Sequence, residues 1–97
     1  MIRFGNGSLS VVGPMTMETV AGLKAEAAPL FTNDLGRSEL GQVTDADSAG
    51  LALLLEWLRR GRSLNLPIVF SGLPPAMSIL ASLYGLSTLF QQESPLI

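Results

Sequence analysis

The side chains that could do chemistry in this chain are few, and they gather at one place. Asp45, Asp47 and Ser48 stand together just ahead of the leucine-rich stretch Leu51-Ala-Leu-Leu-Leu-Glu-Trp-Leu58. Aspartate or serine directly before an apolar helical pattern accepts hydrogen bonds from the unpaired N–H groups of the first turn, so Asp47 and Ser48 both suit a helix N-cap. Asp45 and Asp47 alone make a poor cation site, since hard cations take about six or more oxygen ligands. A turn with a cap explains them better. The single lysine, Lys24, lies in an amphipathic stretch and reads as a solvated charge rather than a Schiff-base nucleophile. With no cysteine and no histidine, disulfides, thiol nucleophiles, imidazole bases and the usual zinc ligand sets are excluded. Neither cofactor nor metal is expected, and the reading is of a chain that is not an enzyme.

The elements that would hold this junction follow from the pattern. Ile2-Arg-Phe4, the turn formers Gly5-Asn-Gly7 and Ser8-Leu-Ser-Val-Val12 predict a hairpin. A first amphipathic helix is predicted from Thr16, as N-cap, to about Ala28, with Val20, Leu23 and Ala27 on one face and Pro29 as its stop. A strand is placed near Gly36 to Leu40, although its residues are polar for a central position. The second helix is predicted over Ala49 to Arg60 with Gly61 as C-cap. On it Leu51, Leu54, Leu55 and Leu58 fill one arc. Leu53 and Trp57 lie on a flank that suits either packing under a neighbouring helix or an interface. Gly50 in its first turn costs about 1 kcal/mol relative to alanine, which implies close approach by another backbone or by a partner. Leu66 to Phe70 reads as a buried strand. Pro74-Pro75 opens a third helix whose Met77, Leu80, Leu83 and Tyr84 are assigned to the core, with Gly85 as its cap. Leu86 to Phe90 suits either a short edge segment or simple packing against the domain, and residues 91–97 a loosely held tail.

At 97 residues the chain is expected to be one domain spanning 1–97. Strands alternating with helices predict an α/β fold: a small mixed sheet packed with three to four helices, parallel where the second helix joins two strands. Charged residues make up 14 % and hydrophobic ones 47 %, so apolar surface is left over for a partner, or for a homodimer when the partner is absent. A net charge of -2 gives no footprint for nucleic acid. Arg59, Arg60 and Arg62 read as solvated charges at a helix C-terminus, too few to anchor the chain to a membrane. The longest apolar run, Ala49 to Leu55, is far short of the roughly 20 residues of a membrane span, so a cytoplasmic location is expected without insertion in a bilayer.

The wording Asp47-Ser-Ala-Gly-Leu51, after Leu40-Gly-Gln-Val-Thr44, resembles the signature of the STAS domain family of anti-sigma factor antagonists. The stretches Gly50-Leu-Ala-Leu-Leu-Leu55 and Ile79-Leu-Ala-Ser-Leu-Tyr-Gly-Leu86 are similar to the STAS subunits of Mla-type phospholipid ABC transporters. The resemblance is clearest from Glu39 to Leu89. It implies a STAS-like fold and a docking turn at Asp47, Ser48, Ala49, Gly50 and Leu51, with Thr44 and Trp57 as neighbours. Ser48 stands where the antagonists carry their phosphate acceptor. The implied partner is the ATPase subunit of the transporter and, through it, the membrane permease, in support of outer-membrane lipid asymmetry. The chain would then sit at the inner face of the inner membrane. ATP hydrolysis would belong to the partner, since this chain has no P-loop. The first alternative is an anti-sigma factor antagonist controlled by phosphorylation of Ser48. A small lipid or ligand carrier is the second.

Overall fold

The computed structural model describes residues 1–32, 35–66 and 68–86. Strand β1 (Ile2–Gly5) and strand β2 (Ser8–Met15) form the predicted hairpin. Its turn is Asn6-Gly7, with φ of 53° and 76°, the left-handed pair that a tight two-residue hairpin loop requires. Helix α1 (Val20–Ala27) follows, then a single 3₁₀ turn over Ala28–Leu30, strand β3 (Arg37–Ala46), helix α2 (Ser48–Ser63), strand β4 (Val69–Ser71) and helix α3 (Pro75–Leu83).

The sheet has the order β1-β2-β3-β4, antiparallel between β1 and β2 and parallel thereafter. It is therefore the mixed sheet expected, with α2 joining the parallel neighbours β3 and β4. Leu9, Val11 and Met15 of β2, Leu40 of β3 and Phe70 of β4 are buried together with Leu23 and Ala27 of α1, Leu51, Leu54 and Trp57 of α2 and Met77 and Ala81 of α3. Among the described residues no helix covers the sheet's opposite face, where Arg3, Ser10 and Glu39 stand side by side in register.

Several expectations change. Thr16 does not cap α1: its carbonyl closes a turn with the N–H groups of Thr19 and Val20, and the helix starts at Val20. The hydroxyl of Thr19 is occupied by the carbonyl of Pro14 and the N–H of Thr16, so it gives the helix no side-chain cap. The chain continues through Pro29 in the 3₁₀ turn, since a proline's missing N–H does no harm there.

Strand β3 runs well past Leu40. Its later residues pair with β2 alone, through two register shifts, and Gly41, Gln42, Thr44 and Asp45 are exposed. Within the predicted part, Glu39 is exposed on the open face of the sheet and Arg37 is half-buried, which accounts for the polarity there. Among the described residues the one polar side chain this strand sends into the core is Ser38, fully buried beside Leu9 and Phe70, with a hydroxyl that has no hydrogen-bond partner among them.

Gly61 is not a C-cap but a buried residue inside α2, where an added Cβ would lie 2.9 Å from Ile68 Cδ1. The helix ends instead at Leu64, followed by Asn65 at a φ of 59°. Helix α3 does end as predicted at Gly85, φ 72°, with Leu86 N–H bonded to Ala81 O at 2.7 Å and Gly85 N–H to Ser82 O at 3.1 Å. Its core face is narrower than expected, however: Met77 and Ala81 are buried and Leu80 half-buried, whereas Leu83 and Tyr84 face solvent. The strand read as Leu66–Phe70 is observed as Val69–Ser71, with Pro67 outside the described residues. The predicted tail 91–97 lies outside them too, as does nearly all of the predicted edge segment Leu86–Phe90.

Candidate functional site

The predicted junction is where β3 ends and α2 begins. Asp47 has extended backbone angles, and its Oδ1 accepts from the N–H groups of Ala49 at 2.9 Å and Gly50 at 3.1 Å. Two of the four unpaired donors at the helix start are satisfied in this way. Oδ2 accepts a third hydrogen bond, at 3.0 Å, from the N–H of Met17 in the turn before α1. One carboxylate thus ties the β2–α1 connection to the start of α2. These donors hold the Asp47 carboxyl below the usual carboxylate range, Met17 most strongly, against some desolvation, with Gly50 and Ala49 adding to it.

The capping role divides differently from the expectation. Asp47 alone is the cap, and Ser48 is the first helical residue, exposed, with a hydroxyl that makes no hydrogen bond among the described residues. A serine at this position cannot cap its own helix, because the N–H groups of the first turn point past it toward the residue before. Its hydroxyl is consequently free for modification or contact at the positive end of the helix dipole.

The other predicted site residues separate into two groups. Thr44 is exposed on the last part of β3, and Ala49 is half-buried at the rim. Gly50 and Leu51 point inward. A Cβ on Gly50 would meet Met15 O at 2.3 Å and Met77 Cε at 2.9 Å, so the approach that requires glycine comes from this chain's own β2 and α3. Leu51 is buried against the sheet. Trp57 is 2 % exposed, with its ring centroid 6.4 Å from that of Phe31. Its flank of α2 is covered rather than free, and so is that of Leu53; it is Leu55 and Leu58 that are only half-buried.

One residue of this surface was missed. Met17 is 76 % exposed, and its backbone is fastened to the Asp47 cap. Nothing in the sequence links it to Asp47, because the two meet only through the pairing of β2 with β3. Beside this end, an open groove between α1 and α2 is lined by Ala21, Lys24, Ala49, Ala52 and Glu56 among others. The far end of α2 carries the arginines. Arg59 pairs with Glu56, and the Arg60 guanidinium lies 5.2 Å from the Phe31 ring centre, a cation–π contact. Glu56 titrates below the usual range, chiefly through its hydrogen bond to Arg59. Among the described residues no group of three or more acidic side chains could hold a metal ion, and no helix is long and apolar enough to cross a membrane.

The chain thus forms a four-stranded mixed sheet with three α-helices, and an exposed serine opens the helix after the third strand. A family model described as Mlab, STAS domain, matches residues 2–92, and the chain belongs to that family. Among solved structures it is similar to the anti-sigma factor antagonist SpoIIAA in its unphosphorylated form, with a TM-score of 0.70 and 12 % identity over 98 % of this chain and 88 % of that one. It is also similar to a sulfate transporter family protein from Wolinella succinogenes, with a TM-score of 0.66 and 14 % identity over 94 % of this chain and 75 % of that one. At such identities the likeness is one of fold. No curated protein matches by sequence.

Proposed function

We propose that the chain is a non-catalytic STAS subunit that docks on the ATPase of an Mla-type phospholipid ABC transporter and supports its assembly or activity. The match of the Mlab family model over residues 2–92 carries this reading. The docking surface is the accessible part of the capped junction: the exposed Thr44 and Ser48 with the half-buried Asp47 and Ala49, joined by Met17. Gly50 and Leu51 contribute from beneath by fixing the helix start on β2, and Trp57 supports the same helix from the core. The absence of histidine and cysteine supports a role in binding rather than catalysis. Contact with the permease, and so a place at the inner face of the membrane, would come through the ATPase.

The fold likeness to SpoIIAA supports a second reading, an anti-sigma factor antagonist in which Ser48 is the regulated hydroxyl. Co-purification from detergent-solubilised native cells separates the two. An ABC ATPase with its permease is the expected companion of the tagged chain. A serine kinase of the anti-sigma type in their place would move the function to transcriptional control.

A further inference from the structure

Helix α2 carries an outward stripe that begins at the Ser48 junction. Ser48, Ala52, Leu55, Arg59 and Arg62 follow one another at alternating spacings of four and three residues, so they share one side of the helix over roughly 21 Å. Two open grooves meet on this stripe at Ala52 and Glu56. One runs between α2 and α1, where Lys24 lines it, and the other lies over Leu55 and Leu58 with Arg59 and Arg62 among its walls. Leu55 and Leu58 are only half-buried, so the second groove has an apolar floor and a cationic rim. Three of the chain's six basic residues line the two grooves, against a single acidic one, Glu56. Arg59 already pairs with Glu56, whereas Lys24 and Arg62 make no ion pair among the described residues. This side is therefore basic in a chain whose net charge is -2, and two of its cations are left for something else to neutralise.

We infer that the stripe continues the docking surface and that, resting on the docking reading above, its occupant is an acidic segment of the same partner. An apolar side chain of that segment enters over Leu55 and Leu58, and its carboxylates reach Arg62 and Lys24. Charge complementarity of this kind steers association and fixes register. A lipid surface suits the grooves less well. Leu55 and Leu58 lie on a groove floor and do not project, so they cannot enter the acyl boundary as the apolar face of an interfacial helix does. Nucleic acid suits them less as well, since no aromatic side chain lines either groove to stack on bases and Glu56 lines both. The opposite end of the stripe adjoins Asp45 and Asp47, which repel carboxylates. The segment therefore lies with its acidic residues toward Arg62 and a neutral end toward Ser48.

Titration calorimetry of the full chain with the purified ATPase subunit, at about 50 and about 500 mM salt, tests this. Arg62→Glu and Lys24→Glu should each weaken binding at least about fivefold at low salt, and should lessen the fall in affinity that wild type shows at high salt. Arg62→Lys, which keeps the charge, should lose less. Ala52→Trp, which fills the point where the grooves meet, should weaken binding too. Arg3→Glu, on the open face of the sheet, makes the same change in net charge and should leave the affinity unchanged. The substituted side chains are all exposed, and circular dichroism checks that the variants are folded. Unchanged affinity in Arg62→Glu and Lys24→Glu, beside a loss in Ser48→Asp, would overturn the acidic segment and leave docking at Ser48 standing. A loss in Arg3→Glu as large as theirs would overturn it too, by reducing the effect to net charge. No binding by wild type would overturn the docking reading and the acidic segment with it. Sedimentation of the chain with phosphatidylglycerol vesicles, abolished by Arg62→Glu while ATPase affinity is unchanged, would also overturn it and assign the cations to a membrane.

Discussion

Helices α2 and α3 face the same core, yet they begin and end by opposite means. The start of α2 is held by a side chain, since Asp47 gathers donors from its own helix and from Met17, and its last turn carries Arg60 and Arg62. The start of α3 is held by backbone alone, with Pro74 and Pro75 in place of a side-chain cap, and a glycine turn ends it with no charged residue near. Outward, α2 presents Ser48, Ala52, Glu56 and Arg59, while α3 presents Ile79, Leu83 and Tyr84. The lesson is that the two surfaces answer to different signals. A change of charge at Ser48 would alter the α2 end, whereas the α3 face carries no charged side chain of its own.

The sharpest way to break this comparison is through its aromatic residues. Trp57→Ala should cost about 3–5 kcal/mol, the usual price of emptying a buried aromatic site, whereas Tyr84→Ala on the outward side of α3 should change stability by less than about 0.5 kcal/mol. Urea unfolding of both variants measures the difference, and similar losses would mean that the faces of one helix have been misassigned. Next in size, Gly50→Ala should cost about 1–3 kcal/mol by forcing α2 away from the carbonyl of Met15, which as backbone cannot move aside. A gain in stability, as helix propensity alone would give, would contradict the close packing of α2 on β2.

The Asp47 cap has a smaller effect with a characteristic pH dependence. Its carboxyl titrates lower in the folded chain than in the unfolded one. The stabilisation is therefore fully present above the unfolded value and is lost as pH falls through the depressed folded value. At neutral pH, Asp47→Ala should lower the melting temperature by about 5 °C. The gap between variant and wild type should close on acidification below the ordinary carboxylate range. A gap that persists there would mean that Asp47 acts by packing rather than as an ionised cap.

How much of this was legible in the sequence depended on how local each determinant is. The hairpin turn, the helix opening at Pro74-Pro75 and the glycine end of α3 are set by a few adjacent residues, and they were found. The junction at Asp47 was found too, but not its division of labour, because whether the cap falls on Asp47 or Ser48 depends on where β3 stops. Polar residues hid the length of β3, since its second half lies outside the cover of the helices. Leucine-rich patterning left the flank of Leu53 and Trp57 open between packing and an interface: what decides for packing includes Phe31, which reaches Trp57 from the α1 connection, a contact no helical period contains. Alpha-helical spacing likewise assigned Leu83 and Tyr84 to the core, whereas no described element covers that side of α3. Met17 was invisible for the same reason as Phe31. Both reach α2 only after the sheet has formed.

The most direct test of the docking claim is the affinity of the purified chain for its transporter's ATPase subunit, measured alongside the melting temperature for wild type and Ser48→Asp. Ser48 is exposed and outside the cap, so the account predicts a loss of at least about tenfold in affinity with a melting temperature changed by less than about 2 °C. Unchanged affinity would contradict docking at this junction. A large fall in melting temperature would show that Ser48 serves the fold instead.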